Sequence, residues 1–337
     1  MDDSRIEEIL TDYIRHNLSP TFEERKNISE KYEELKSFLE GRTLQNGSYA
    51  RFTSTTPVND LDVIYILPES VSKAIAEATI DPNELDITDI LGTLAKALRK
   101  AYPNNVDIKE QPHSVGIYFG SEDDFSIDVV PAVPAGEGLY WVPETAHLSI
   151  HNRRKLYESA PGINWIKSDP TGYIEQAKNT DKDSRGRFRK TAKTIKKWRI
   201  GCKNKNKIFP LKSFHLELLV TEIFKSESSL PCIDAVNKFF QELDDYMLEP
   251  KLRDRADNSR YIDEYLSDLS SEERHLIHTL REHAQSVLES MSAATTEAEI
   301  LKALESLLGI DTPTSSSVSR SGTIVTSAVS KPYSIYS

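Results

Sequence analysis

The spacing of apolar residues divides the chain into two parts of different character. In the first, Ile6, Ile9, Leu10, Tyr13 and Ile14 recur at helical spacing and predict an amphipathic helix. A second helix is predicted after Pro20, where Thr21 and Glu24 stand as a capping box and Ile28, Tyr32, Leu35 and Leu39 form the apolar stripe, ending near Gly41. A turn at Gly47 and Ser48 leads into an apolar, β-branched run over 61–67, a strand stopped by Pro68. Ile87, Ile90, Leu91, Leu94 and Leu98 predict another helix. Three strands follow over 106–108, 114–119 and 125–130, the last two joined as a hairpin by the turn Gly120, Ser121, Glu122, Asp123. Helices against a mixed sheet make this part α+β.

From about residue 170 the period is wholly helical, most clearly over 184–201, 213–226, 232–246, 270–291 and 296–308. After Gly309 the chain turns rich in Ser and Thr, with no periodicity long enough to bury a face, and a flexible tail is expected. The expected organisation is a mixed lobe with its N-terminal helices over 1–165, a helical lobe over 166–309 and a tail over 310–337.

Composition narrows the setting. The 337 residues are enough for a two-lobed enzyme with a sizeable core. No apolar run approaches the roughly 18–20 residues of a membrane span, and the opening MDDSRIEEIL lacks a secretory apolar stretch. Cys202 and Cys232 stand without a CxxC or a neighbouring His, which fits a reducing, cytoplasmic setting rather than a disulfide or zinc framework. The net charge of −11 argues against a surface that binds long nucleic acid. Positive charge is instead concentrated between Lys178 and Lys212, in a run that includes Lys182, Arg185, Arg187, Arg189, Lys190, Lys193, Lys196, Lys197 and Arg199. Such a run suits a polyphosphate or a short nucleic-acid contact, or is a solvated helix face.

The candidate chemistry lies in three carboxylates. Residues two apart on a strand share a face, so Asp60 and Asp62 point one way while Leu61 and Val63 pack the other. Carboxylates that close repel one another unless a cation lies between them, and hard oxygen ligands suit Mg2+. Asp128, in FSIDVVPA, is alone on its side of another apolar strand, and the three converge if the two strands are neighbours. This is the ligand set of two-metal phosphoryl transfer, with Asp128 either a ligand or the acceptor of the attacking hydroxyl's proton. Gly47 would let the backbone approach phosphates, and Ser48 would donate to them. His113 and His215 fit neither a metal spacing nor a nucleophile pair and are read as structural.

The stretch GSYARFTSTTPVNDLDV resembles the signature of the DNA polymerase β-like nucleotidyltransferase superfamily, and more narrowly the bacterial CD-NTases, relatives of cGAS and oligoadenylate synthetase found in CBASS anti-phage systems. The likeness continues through FSIDVVPAVP, WIKSDP at 165–170, RKTAKTIKKWR and LKSFHLELLV, over most of 20–225 and more faintly to about 309. It implies a polymerase β-like catalytic lobe and a helical lobe with the active site in the cleft between them. It also implies two Mg2+ ions, with Mn2+ as a substitute. Lys196, two before Trp198, and Ser213 match the family's triphosphate contacts, and Phe214 matches a position where relatives stack a base. The implied activity is template-independent joining of NTPs, ATP among them, into a cyclic di- or trinucleotide that activates a separate effector. A regulator or conjugating partner acting on the tail and an RNA activator on the basic helix are further partners that the likeness implies. In RDRADNSRYIDEYLSDLS the chain departs from the Pro- and Asn-rich stretch common in relatives, at a place that helps shape the base pocket. Two other readings stay open on sequence: nucleotide addition to a tRNA end or a protein acceptor, and a catalytically silent nucleotide or RNA sensor.

Overall fold

A computed structural model describes residues 2–71, 90–102, 106–120, 125–144 and 164–309. The first helix, α1 (Asp3–Tyr13), is capped by Asp2, whose carboxylate accepts from the Arg5 N–H at 3.0 Å. Helix α2 (Phe22–Phe38) begins at the capping box read from sequence, with Thr21 and Glu24 each accepting the other's backbone N–H. Glu24 also accepts from the Thr56 hydroxyl and the Val58 N–H, each at 2.9 Å, so a local cap doubles as a tie to the loop before the carboxylates.

The sheet strands are β1 (Arg42–Asn46), β2 (Asp60–Ile66), β3 (Asp107–Glu110), β4 (Val115–Tyr118), β5 (Ser126–Gly136), β6 (Leu139–Glu144) and β7 (Asn164–Ser168). Their order is β1-β2-β5-β4-β3, with β6 on the far part of β5 and β7 on β6. The β2 and β5 strands run parallel and the other pairs antiparallel, the mixed sheet expected. One single-turn helix, α3 (Gly47–Ala50), separates β1 from the loop into β2. Helix α4 (Ile90–Ala101) and α2 cover one face, where Leu91, Leu94, Leu98, Ile28 and Leu35 meet Leu61, Val63, Ile127 and Val129. Ile87 lies outside the described residues, as do residues 121–123 of the expected turn, although the pairing of Val115 with Val129 is that of the expected hairpin.

The second core is helical: α5 (Pro170–Asp183), α6 (Arg187–Lys205), α7 (Ser213–Ser226), α8 (Cys232–Tyr246), α9 (Ser271–Ser292) and α10 (Glu297–Leu308). Helix α6 starts later than its apolar pattern suggested because Arg185 and Gly186 both adopt positive φ and break the chain from α5. Trp198 anchors the core, with Phe209 at 5.6 Å and Phe240 at 4.9 Å in edge-to-face contact.

Two of the expected boundaries differ from the packing. The stripe of α1, grouped by chain order with the catalytic lobe, is buried in the helical core with Ile195, Trp198 and Phe240. Strand β7, which straddles the 165/166 division, pairs with β6 and belongs to the sheet. Chain order carries no information about either contact, since both are made between residues far apart in sequence.

Helix α10 ends at Gly309 in the left-handed conformation, φ 67°, and its end rests on Gly201 of α6. A Cβ on Gly201 would lie 2.3 Å from the Leu308 carbonyl oxygen. Gly201→Ala gains up to about 1 kcal/mol of helix propensity, but a backbone clash of this depth outweighs it. The expected net loss is about 1–3 kcal/mol, measured by urea denaturation; an unchanged or raised midpoint would contradict this packing.

Candidate active site

Parallel pairing of β2 with β5 sets Asp62 directly beside Asp128, with Asp60 beside Ser126 two residues earlier on the same face. On its other side β5 pairs with β4, where Gly116 opposes Asp128 and leaves room for the Gln111 side chain, whose amide nitrogen would stand 2.5 Å from a Cβ at that position. Asp128 is buried and accepts a hydrogen bond at 2.8 Å from the Gln111 side-chain amide, which also reaches the Tyr118 hydroxyl at 3.0 Å. Burial, and then the charge of Asp60, pushes the Asp128 carboxyl up to about 7 against the pull of the Gln111 hydrogen bond. Asp62 is likewise raised well above the usual carboxylate range by burial and by the charges of Asp60 and Asp128, partly offset by Arg51 and Lys196.

Gly47 is shaped by this crowding. Its φ is 67°, and a Cβ there would stand 1.6 Å from Oδ2 of Asp62. Only a residue without a side chain lets the turn pass this close to the carboxylate. Ser48 follows within α3 and is half-buried. Its carbonyl accepts from the N–H groups of Thr53 and Ser54 at 2.9 and 3.2 Å, which folds the chain back toward the helical lobe.

Lys196 is buried on α6 and donates to the Thr53 hydroxyl at 2.9 Å and to the Glu217 carboxylate. Ser213 is the first residue of α7 and is half-buried. Phe214 is a core residue, 1% exposed: Tyr173 meets it edge-on at 5.0 Å and the Arg51 guanidinium lies 4.6 Å from its ring centre. Stacking a base on Phe214 would require it to leave this packing, so its position on an apolar helix face decides for burial. His113 and His215 are both buried, the first against the Pro143 carbonyl at 2.9 Å and the second against the Tyr265 hydroxyl at 2.8 Å. Burial drops His215 to about 3, which keeps it neutral.

Sequence reasoning passed over Arg51, Thr53, Gln111 and Glu217. Glu217 was the most legible of them, the one carboxylate among the apolar residues of LKSFHLELLV. Gln111 lies in a turn and carries no comparable signal. The basic run is also less of a surface than it looked. The Arg189 guanidinium bonds Asp181 and the Arg51 carbonyl, both at 3.0 Å, Lys193 reaches the Ser19 hydroxyl at 3.0 Å, and Arg199 caps the Leu211 carbonyl. Lys182, Arg185, Lys205 and Lys207 remain exposed. The divergent segment after residue 252 folds against α5, where Arg255 pairs with Asp169 at 3.0 Å and its N–H meets the Tyr173 hydroxyl at 3.1 Å.

Among the described residues no three His, Cys, Asp or Glu side chains close on one point as a preformed cage. The three Asp residues form an open set of oxygen donors whose mutual repulsion a hard divalent cation would relieve, and they fit such an ion. A concavity of about 320 Å³, lined by Lys36, Arg42, Ile66 and Tyr140, lies at the opposite end of β2 from these carboxylates.

Residues 5–180 match the family model described as the Second Messenger Oligonucleotide or Dinucleotide Synthetase domain, SMODS. The chain belongs to the SMODS family. No curated protein matches it in sequence. Solved structures match its fold over nearly the whole length. CdnC of E. coli MS115-1, in complex with a HORMA protein, is 16% identical with TM-score 0.67, covering 90% of this chain and 96% of its own. CdnG of Bradyrhizobium diazoefficiens, a CD-NTase bound to GTP, is 11% identical with TM-score 0.63, covering 90% and 95%. The DncV cyclic AMP-GMP synthase of Vibrio cholerae, holding the linear intermediate pppA(3′,5′)pG, is 15% identical with TM-score 0.58, covering 92% and 81%. This SMODS protein is thus a member of a family of second-messenger oligonucleotide or dinucleotide synthetases, and it has the fold of the CD-NTases. Among its described residues no helix is long and apolar enough to cross a membrane.

Two outcomes are expected at this site. Gly47→Ala should displace the Asp62 carboxylate, which a Cβ would meet at 1.6 Å, and lower turnover to about 1% or less of wild type; near-normal activity would contradict the close approach of this turn to Asp62. The raised carboxyls also predict a pH dependence in the metal-free protein. Both titrate above their unfolded value, so the fold favours their protonated forms; that contribution is complete below about pH 4 and is lost as pH rises through about 7, the value for Asp128. Thermal midpoints in EDTA should therefore fall between about pH 5 and 7, and Asp128→Asn should flatten the slope.

Proposed function

We propose that Asp60, Asp62 and Asp128 are the catalytic carboxylates of this SMODS enzyme, and that its product is a cyclic di- or trinucleotide. The observation that carries this reading is the parallel register that sets Asp62 beside Asp128, next to a glycine turn that only a missing Cβ allows. A hydroxyl of one nucleotide attacks the α-phosphorus of another's triphosphate. The new P–O bond forms as the bond to the β-phosphate oxygen breaks, and pyrophosphate leaves. Asp128 accepts the hydroxyl proton. A later attack within the linear intermediate, with loss of a further pyrophosphate, closes the ring. Two Mg2+ ions on the three carboxylates would neutralise the triphosphate and acidify the attacking hydroxyl. The Ser48 and Ser213 hydroxyls and the Lys196 ammonium orient the phosphates.

The product then activates a separate effector protein in a CBASS anti-phage response. The HORMA complex of the E. coli relative supports a protein regulator here too. Transfer to an RNA acceptor is disfavoured, because much of the basic run turns inward to bind loops of the same chain.

The test is incubation of purified protein with all four NTPs and Mg2+ or Mn2+, followed by phosphatase and mass spectrometry. A phosphatase-resistant cyclic product is expected. In Asp60→Asn/Asp62→Asn and in Asp128→Asn it should drop by about a thousandfold or more with the fold retained. Only linear products from the wild type, or undiminished synthesis in the variants, would refute the assignment.

A further inference from the structure

Helix α7 is apolar over most of its surface, yet Glu217 sits one turn past Ser213 and is 2% exposed. Its carboxylate is shared three ways. Arg51 Nε donates to Oε1 at 2.5 Å, the Thr53 hydroxyl to Oε2 at 2.7 Å, and the Lys196 ammonium to the same Oε2. Thr53 in turn accepts from Lys196 at 2.9 Å. These groups come from three places: the turn after Gly47 and Ser48, helix α6, and helix α7.

Charge explains the arrangement. Arg51 and Lys196 are each 4% exposed, and two buried cations this close repel one another. One carboxylate between them offsets that repulsion: burial pulls Lys196 down while Glu217 opposes it, and the two cations hold Glu217 at about 2 despite its own burial. The three then carry one net positive charge beside Asp60 and Asp62, whose charges act on the same cations. An ammonium has three N–H donors. Among the described residues Thr53 and Glu217 engage two of them, and a phosphate oxygen would take the third. The turn that presents Ser48 is tied to the same point, through the Thr53 N–H on the Ser48 carbonyl.

We propose that Glu217 is the positioning residue of the triphosphate site, fixing Lys196 and Arg51 as charged groups at a set place relative to Ser48 before nucleotide arrives. This rests on the reading of Lys196 and Ser48 as phosphate-binding groups. Glu217 does not touch the substrate. It acts through Lys196, so its loss weakens nucleotide binding and leaves the carboxylate chemistry intact.

The experiment compares wild type, Glu217→Gln, Thr53→Val, Lys196→Met and the Glu217→Gln/Lys196→Met double variant. Affinity is read by calorimetry with Mg2+ and the α,β-methylene analogues of ATP and GTP, and turnover with the parent NTPs. Glu217→Gln is expected to raise Kd and KM about tenfold or more while kcat changes less than about threefold. Thr53→Val, which keeps the shape and the carboxylate, should raise both about three- to tenfold and serves if the glutamine variant folds poorly. In the Lys196→Met background the glutamine substitution should add nothing, because the two act as one unit. Unchanged Kd in both Glu217→Gln and Thr53→Val, a loss confined to kcat, or additive effects in the double variant would overturn the inference. Wild-type protein that binds neither analogue would overturn the phosphate-site reading together with it.

Discussion

Repulsion among the carboxylates near the starts of β2 and β5 is the constraint around which the molecule is arranged. Asp62 and Asp128 stand side by side because two strands run parallel in register, and Asp60 follows two residues away on the same face. Left alone, such a group favours protonation, as the raised carboxyls show. The fold supplies part of the compensation itself. Gln111 donates to Asp128, and Arg51 and Lys196 bring positive charge toward Asp62. Under the proposed function, divalent cations would supply the remainder of the compensation.

Supplying that positive charge requires the helical lobe to reach into the catalytic lobe. Helix α6 does this along one side: Lys196 joins the Glu217 cluster, Arg189 holds the Arg51 carbonyl, and Lys193 and Lys197 reach Ser19 and the Thr56 carbonyl. Its other side carries Phe188, Ile195 and Trp198 into the helical core. A single helix thus joins the packing of one lobe to the electrostatics of the other, and the basic character that reads as surface charge is largely the means of attachment. Helix α10, resting on Gly201, packs against the same element from behind.

Where local physics decides the outcome, the sequence is a sound guide. Capping boxes at Thr21, Ser270 and Thr296 mark helix starts because each is closed within three residues. Short strands were harder. β1, β6 and β7 went unread, since each is only half-buried and takes its identity from a partner distant in the chain. Strand β5 ran past its expected end through Pro131 and Pro134, where the residues flanking each proline continue the ladder.

By itself the sequence determined the alternation that puts Asp60 and Asp62 on one face, the glycine turn ahead of them, the helical second lobe and the family resemblance. All of these depend on spacing along the chain. Tertiary structure alone decided that Asp62 lies beside Asp128, that Phe214 is packing rather than platform, that α1 belongs to the helical core, and that Arg51, Thr53, Lys196 and Glu217 form one cluster. The reason is physical. A buried charge is tolerable only beside its partners, and partners 143 to 166 residues apart are brought together by strand register and helix packing, neither of which leaves a mark in local sequence.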